Sequence, residues 1–382
     1  MTMRVSHRAL ITRSLRVIRA GQAATGAYVA APAFPTYHFS WFRDGSFIAD
    51  AMSRCGSVDS AEAFFDWCAK ILTDRSDRIR SLVLRGESDP TGVDAAEQLH
   101  TRYTLDGVES PTDWENFQLD GYGTWLWSLD AHLRRHGLGR DAYLPAVTLT
   151  LDYLTTFWAA PCYDWWEENG DGRHPSTLGA IRAGLTAVGR WEELDPERRQ
   201  RVHRAARAID ELVASQGVVD GHLTKSLGTS AIDGSLLACI EPFGLYPVDH
   251  PVARRTIAEV ESQLAPAGVH RFAADTYYGG GQWILLAALL GWQHVAAGNP
   301  ARARELLDWI AGQADAELDL PEQVDDAALH PERIGEWVDR WGPSARPLLW
   351  SHAMYLTLAH ELGLTGGGDD DLTVTTNREP GA

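Results

Sequence analysis

The chain has 382 residues, 45% of them hydrophobic, enough for a large core and for one barrel-sized domain. Its net charge is −18, from 52 acidic against 34 basic residues. That balance argues against nucleic acid and against anionic membrane surfaces, which both select clustered Lys and Arg. No run approaches the ~18 consecutive apolar residues of a membrane span.

Arg13 and Arg16 interrupt any apolar core of a secretory signal in the first helical stretch, 8–20. With no Asn-x-Ser/Thr sequon either, the cytoplasm is the default location. The four cysteines, Cys55, Cys68, Cys162 and Cys239, are far apart and form no CxxC, so free thiols are expected. Helical periodicity continues over 44–54, 60–74, 121–136, 142–159 and 176–192. The helix over 197–214 has the clearest signals. Asp195 is placed to cap it, Pro196 opens it, Val202, Ile209, Leu212 and Val213 share one face, and Gly217 ends it. Further helices are expected over 229–239, 251–264, 281–297, 300–315 and 348–362, about twelve in all. Strand patterns are scarce, with GHLTK and GVHRF as the short candidates. Residues 1–364 therefore read as one all-α domain, and 365–382 as a disordered tail without apolar period.

Six helices begin with, or follow, a stretch dense in aromatic and polar groups: YHFSWFRDG, DWENFQLDGYG, DWWEENGDGRHPSTLG, KSLGTSAIDG, DTYYGGGQW and RPLLWSHAMY. They recur every 50 to 75 residues, with roughly one more helix between neighbours. Helix pairs joined this way pack antiparallel. Six pairs closed into a ring bury the faces that an open solenoid leaves at its ends. The spacing predicts an (α/α)6 barrel with the six stretches around one mouth; an open α-solenoid is the alternative.

Three stretches carry candidate chemistry. DWWEEN sets the carboxylates of Asp164, Glu167 and Glu168 against indole rings, and an acid losing hydration there rises in pKa. That keeps a general acid protonated near neutral pH, although an acidic helix flank has the same composition. LPEQVDD offers a second carboxylate, Glu322, in a loop before the last inner helix. In RFAADTYYGGGQW, three glycines open an apolar helix, so something must approach that backbone closely. Arg271, Asp275, Tyr277, Tyr278 and Trp283 surround it, a polar and aromatic set suited to sugar rather than phosphate. No HExxH, zinc spacing, GxSxG or Walker loop occurs.

These stretches resemble glycoside hydrolase family 15, the glucoamylases and related inverting exo-glucosidases, over about residues 10–362. Five motifs carry the resemblance. They are Tyr37, Trp41, Arg43 and Asp44; Trp114, Gln118, Asp120 and Gly121; Asp164, Trp166, Glu167 and Glu168; Arg271, Asp275, Thr276, Tyr277 and Tyr278; and Glu322 and Gln323 with Trp350 and Ser351. The resemblance implies Glu167 as general acid, Glu322 as general base and Tyr37 beside the base. It implies a sugar pocket from Trp41, Arg43, Asp44, Trp114, Asp120, Asp164, Trp166, Glu168, Arg271, Asp275, Tyr277, Trp283 and Trp350, with no metal or organic cofactor. Asp113, Trp114, Glu168 and Trp341 are candidates for the second sugar site. No starch-binding or β-sandwich domain fits the chain, so a small soluble substrate is expected. Short bacterial members that cleave isomaltose fit best. Cleavage of α-1,4-linked maltooligosaccharides, cleavage of trehalose, and a catalytically silent sugar-binding barrel remain as alternatives. Inversion requires the carboxyls of Glu167 and Glu322 to stand roughly 6.5–9.5 Å apart, leaving room for water.

Overall fold

The computed structural model describes residues 5–110 and 112–365. All but the first residue of the expected tail lie outside the described residues. Fourteen α-helices are found among the described residues. Six of them, α2 (Phe42–Arg54), α5 (Asp120–His136), α7 (Pro175–Val188), α9 (Leu236–Ile240), α11 (Ile284–Ala296) and α14 (Leu349–Glu361), pack in chain order, and α14 closes back onto α2. Six more form the outer layer: α1 (His7–Ala20), α3 (Val58–Asp74), α6 (Leu144–Phe157), α8 (Pro196–Gln216), α10 (Pro251–Leu264) and α12 (Pro300–Gly312). The result is the (α/α)6 barrel expected from the spacing.

Burial separates the two layers. In α11, every residue from Ile284 to Gln293 is buried, as an inner helix contacted from all sides requires. In α8, only Val202, Ala205, Ile209 and Val213 are fully buried, and Leu212 sits at the edge of that stripe. The Asp195 carboxylate accepts a hydrogen bond from the Arg198 amide at 2.8 Å and Pro196 occupies the first turn, so this helix starts as its sequence says. The inner ring is tight where α5 meets α7. A Cβ added at Gly123 would lie 2.4 Å from the Ala180 carbonyl oxygen, so only glycine lets these backbones touch.

Two helices were not expected, α4 (Ser76–Ser88) and α13 (Ile334–Trp341). The first follows α3 after a single residue and packs outside α6; the second packs over the turn at Tyr277–Gly279. The expected helix over 229–239 shrinks to the five residues of α9. Asp44 does not cap its helix. The helix starts two residues earlier, with Trp41 at the N-cap and Asp44 inside the first turn. There its carboxylate still lies near the positive end of the helix dipole.

Seven two-residue strands stitch the loops: β1 (Ser40–Trp41) with β2 (Arg102–Tyr103), β3 (Val218–Val219) with β4 (His222–Leu223), and β5 (Val269–His270), β6 (Gln282–Trp283) and β7 (Gln323–Val324) as an antiparallel sheet. GHLTK and GVHRF supply β4 and β5, as expected. The group crowding the glycine run is the chain itself. A Cβ at Gly280 would stand 2.2 Å from the Asp275 carbonyl oxygen, and one at Gly281 2.4 Å from that of Val324. All four cysteines are free, with Cys55 half-buried and the others buried. No described helix is long and apolar enough to cross a membrane.

Candidate active site

A cavity of about 830 Å³ opens at the end of the barrel where the inner helices begin. That lies within the ~300–1,000 Å³ common for small-ligand sites. Five of the six aromatic stretches line it, through Tyr37 to Asp44, Thr112 to Glu115, Trp165 to Glu168, Arg271 to Trp283, and Leu348 with Trp350. Glu322 completes the wall. The fourth stretch, KSLGTSAIDG, contributes no lining residue and works from behind.

Glu167 sits at φ 66°, a left-handed backbone that a non-glycine residue adopts only when its surroundings over-determine it. Asp164 supplies that constraint. One carboxylate oxygen accepts the amides of Trp166 and Glu168 at 2.9 and 3.0 Å, and its backbone carbonyl accepts the Glu167 amide at 3.0 Å. The Lys225 ammonium lies 3.0 Å from Asp164 and 2.8 Å from Asp233. Asp233 in turn accepts the Trp166 indole N–H at 2.9 Å. Burial by itself would push the Asp164 carboxyl up, but Lys225 and the surrounding donors carry it below the ordinary value.

The Glu167 carboxyl takes the Trp41 indole N–H on one oxygen at 2.7 Å and the Trp114 indole N–H on the other at 2.6 Å. Burial pushes its pKa up, and the Arg43 guanidinium, with Nη2 at 3.6 Å, restrains the shift. Arg43 is anchored by Gln118 at 2.8 Å and Asp120 at 3.0 Å. Beside it, Asp44 is raised to about 7, mainly by burial.

Glu322 lies across the ring sequence, on the segment leading into β7. Its amide donates to the Ala345 carbonyl and its carbonyl accepts the Ile284 amide, at 2.9 and 3.2 Å. Burial raises its carboxyl to about 7, against the charge of Arg271 and hydrogen bonding from Tyr37 and Tyr277. The two phenols are themselves 2.7 Å apart, oxygen to oxygen. Glu322 Oε2, Asp44 Oδ2 and the indole nitrogens of Trp283 and Trp350 are buried and make no hydrogen bond among the described residues. All four residues line the cavity, so it presents acceptors and donors ready for hydroxyl groups.

Among the sequence candidates, Tyr37, Trp41, Arg43, Asp44, Trp114, Trp166, Glu167, Glu168, Arg271, Tyr277, Trp283, Glu322 and Trp350 meet at this cavity, as do Asp113 and Trp341. Three expected sugar contacts do not. Asp120, Asp164 and Asp275 stand behind the wall, where each neutralises a cation: buried Arg43, half-buried Lys225 and buried Arg271 respectively. The structure adds lining residues that pattern reading passed over. The Arg102 guanidinium stacks 3.7 Å from the Trp114 ring centre and 4.3 Å from that of Phe39. Burial lowers its pKa to about 10. From α13 come Trp337 and Arg340, next to the expected Trp341, with Arg340 stacked against both indoles.

Two desolvated carboxyls in an aromatic pocket on an (α/α)6 barrel define a sugar-cleaving class of protein. The comparisons agree. The family model for glycosyl hydrolases family 15 matches residues 5–316, and the chain belongs to that family. It is 52% identical over 363 residues to the isomaltose glucohydrolase of Kribbella flavida, covering 93% of each chain. A glycosidase variant solved in complex with glucose superposes with a TM-score of 0.90 at 51% identity, over 94% of this chain and 97% of that one. The glucoamylase of Saccharomycopsis fibuligera, 13% identical with a TM-score of 0.73 over 94% of this chain and 95% of that one, shares the fold. The protein is a glycoside hydrolase.

Proposed function

We propose that this chain is an inverting exo-glucosidase that releases β-glucose from the non-reducing end of isomaltose or short α-1,6-linked gluco-oligosaccharides. The observation that carries this reading is the likeness to an isomaltose glucohydrolase at 52% identity over 93% of both chains. Glu167 donates a proton to the glycosidic oxygen as the bond to the anomeric carbon breaks. Glu322 takes a proton from water attacking that carbon from the opposite face, with Tyr37 holding base and water. Arg43 and Asp44 grip hydroxyls of the terminal glucose, and Trp41, Trp166, Trp283 and Trp350 offer faces and N–H groups to it. Trp114, Glu168 and Trp341 are assigned to the second sugar. The developing oxocarbenium charge sits among Asp44, Glu167 and Glu322, whose buried carboxylates stabilise it more strongly than water does. A binding barrel needs no such acid–base pair.

Kinetics on isomaltose, maltose and trehalose side by side test the assignment. Isomaltose is expected to give the highest kcat/KM. A preference for maltose or trehalose would overturn the linkage, and glucose binding without turnover would overturn the catalytic reading. Glu167→Gln and Glu322→Ala should each lower kcat by about 10³-fold or more while glucose still binds. A wild-type rate in either variant removes that residue from the mechanism.

A further inference from the structure

The segment Leu320–Pro321–Glu322 is bonded to α14 and the residue before it, and reaches the cavity wall at Glu322. Among the described residues, the Leu320 amide bonds to no other backbone group. It donates to Nε2 of His352, on α14, at 3.0 Å. The other ring nitrogen, Nδ1, lies 2.9 Å from the Ser14 hydroxyl of α1. Leu320, His352 and Ser14 are fully buried.

The chemistry of the contact fixes the ring. A backbone N–H can only donate, so Nε2 must carry a lone pair. His352 is therefore neutral, with its proton on Nδ1, where it donates to Ser14. Burial together with the nearby Arg13 charge pushes the ring pKa down to about 3, consistent with an imidazole that stays neutral. One inner helix thus holds the chain two residues before Glu322 by a single tautomer, and an outer helix holds the tautomer.

We infer that His352 is a positioning residue for the Glu322 carboxylate, setting its placement toward the water site through the Leu320 amide. This rests on Glu322 acting as the base. The Leu320 carbonyl accepts the Leu348 amide at 3.1 Å, and further along the Glu322 backbone bonds to the Ala345 carbonyl and the Ile284 amide before β7 begins. Displacement by about 1 Å is enough to change a rate by around a hundredfold.

Two matched substitutions test this. In His352→Gln, the amide oxygen reaches the Nε2 position and can accept the Leu320 N–H. In His352→Asn, the shorter amide reaches only the Nδ1 position. Both remove the ring and leave similar packing defects. The Gln variant is expected to keep kcat on isomaltose within about threefold of wild type and the Asn variant to lose roughly tenfold or more, with KM in both nearly unchanged. Equal kcat values in the two variants, or a loss confined to KM, would overturn the inference. Should neither variant fold, 15N NMR of histidine-labelled wild-type protein decides it. The inference requires a neutral ring protonated at Nδ1, and a proton on Nε2 contradicts it. A fully active Glu322→Ala would sink the base assignment itself, whereas an inactive Glu322→Ala with indistinguishable His352 variants would sink only the positioning role.

Discussion

Glu322 and Asp44 are both held near 7 because burial removes the water that a carboxylate needs. For Glu322 the sign of the stability effect follows directly. Its folded-state pKa lies above the ordinary carboxylate value, so between about 4.5 and 7 the folded state keeps a proton that the unfolded state loses. Stability therefore falls as pH rises through that window and stays low above it. Gln mimics the protonated form. Glu322→Gln should then unfold at a higher temperature than wild type at pH 8, by up to about 3 kcal/mol of stability, and show little difference at pH 4. Thermal unfolding at the two pH values measures this. An equal effect at both would mean that the carboxyl titrates normally. The residues that touch the cavity were largely legible, because aromatic and charged groups clustered at helix starts have few folding reasons to be there. Asp120, Asp164 and Asp275 were legible as members of the site but not in their place. Sequence shows a carboxylate beside a motif, not whether a cation stands between it and the cavity.

At the scale of elements, the acid loop depends on a group with almost no sequence signal. Lys225 is one of two lysines in the chain and sits between the buried carboxylates of Asp164 and Asp233. Lys225→Met leaves both without their cation, a change that costs roughly 3–5 kcal/mol when a buried ion pair loses one partner. The expected outcome is a melting temperature lowered by several degrees and a reduced kcat, as the strained turn at Glu167 loses its support. Unfolding curves and initial rates check it; an unchanged protein would make the network incidental. The elements that escaped sequence reading have physical reasons too. The α4 helix follows α3 with no Gly or Pro break between them, so no boundary signal marks its start. The α13 helix has eight residues and none fully buried, so its apolar side faces other aromatic rings at the cavity rim rather than a core. Its Trp337 indole donates to the Thr276 carbonyl at 2.9 Å, a contact between helix and loop that periodicity cannot register.

At the scale of the molecule, the ring itself was legible because its repeat is long and regular. Six inner helices with like chemistry at the same end have one compact solution, and closure brings Glu167 and Glu322, 155 positions apart in sequence, to one cavity. The length of water-accessible space between them is a property of loops, and loop geometry has no period to read. Inversion is the central claim built on that space, and the configuration of the newly released sugar tests it most directly. Proton NMR of the anomeric signals in the first minutes of isomaltose cleavage, before mutarotation, should show β-glucose appearing first. An initial burst of α-glucose would contradict the account.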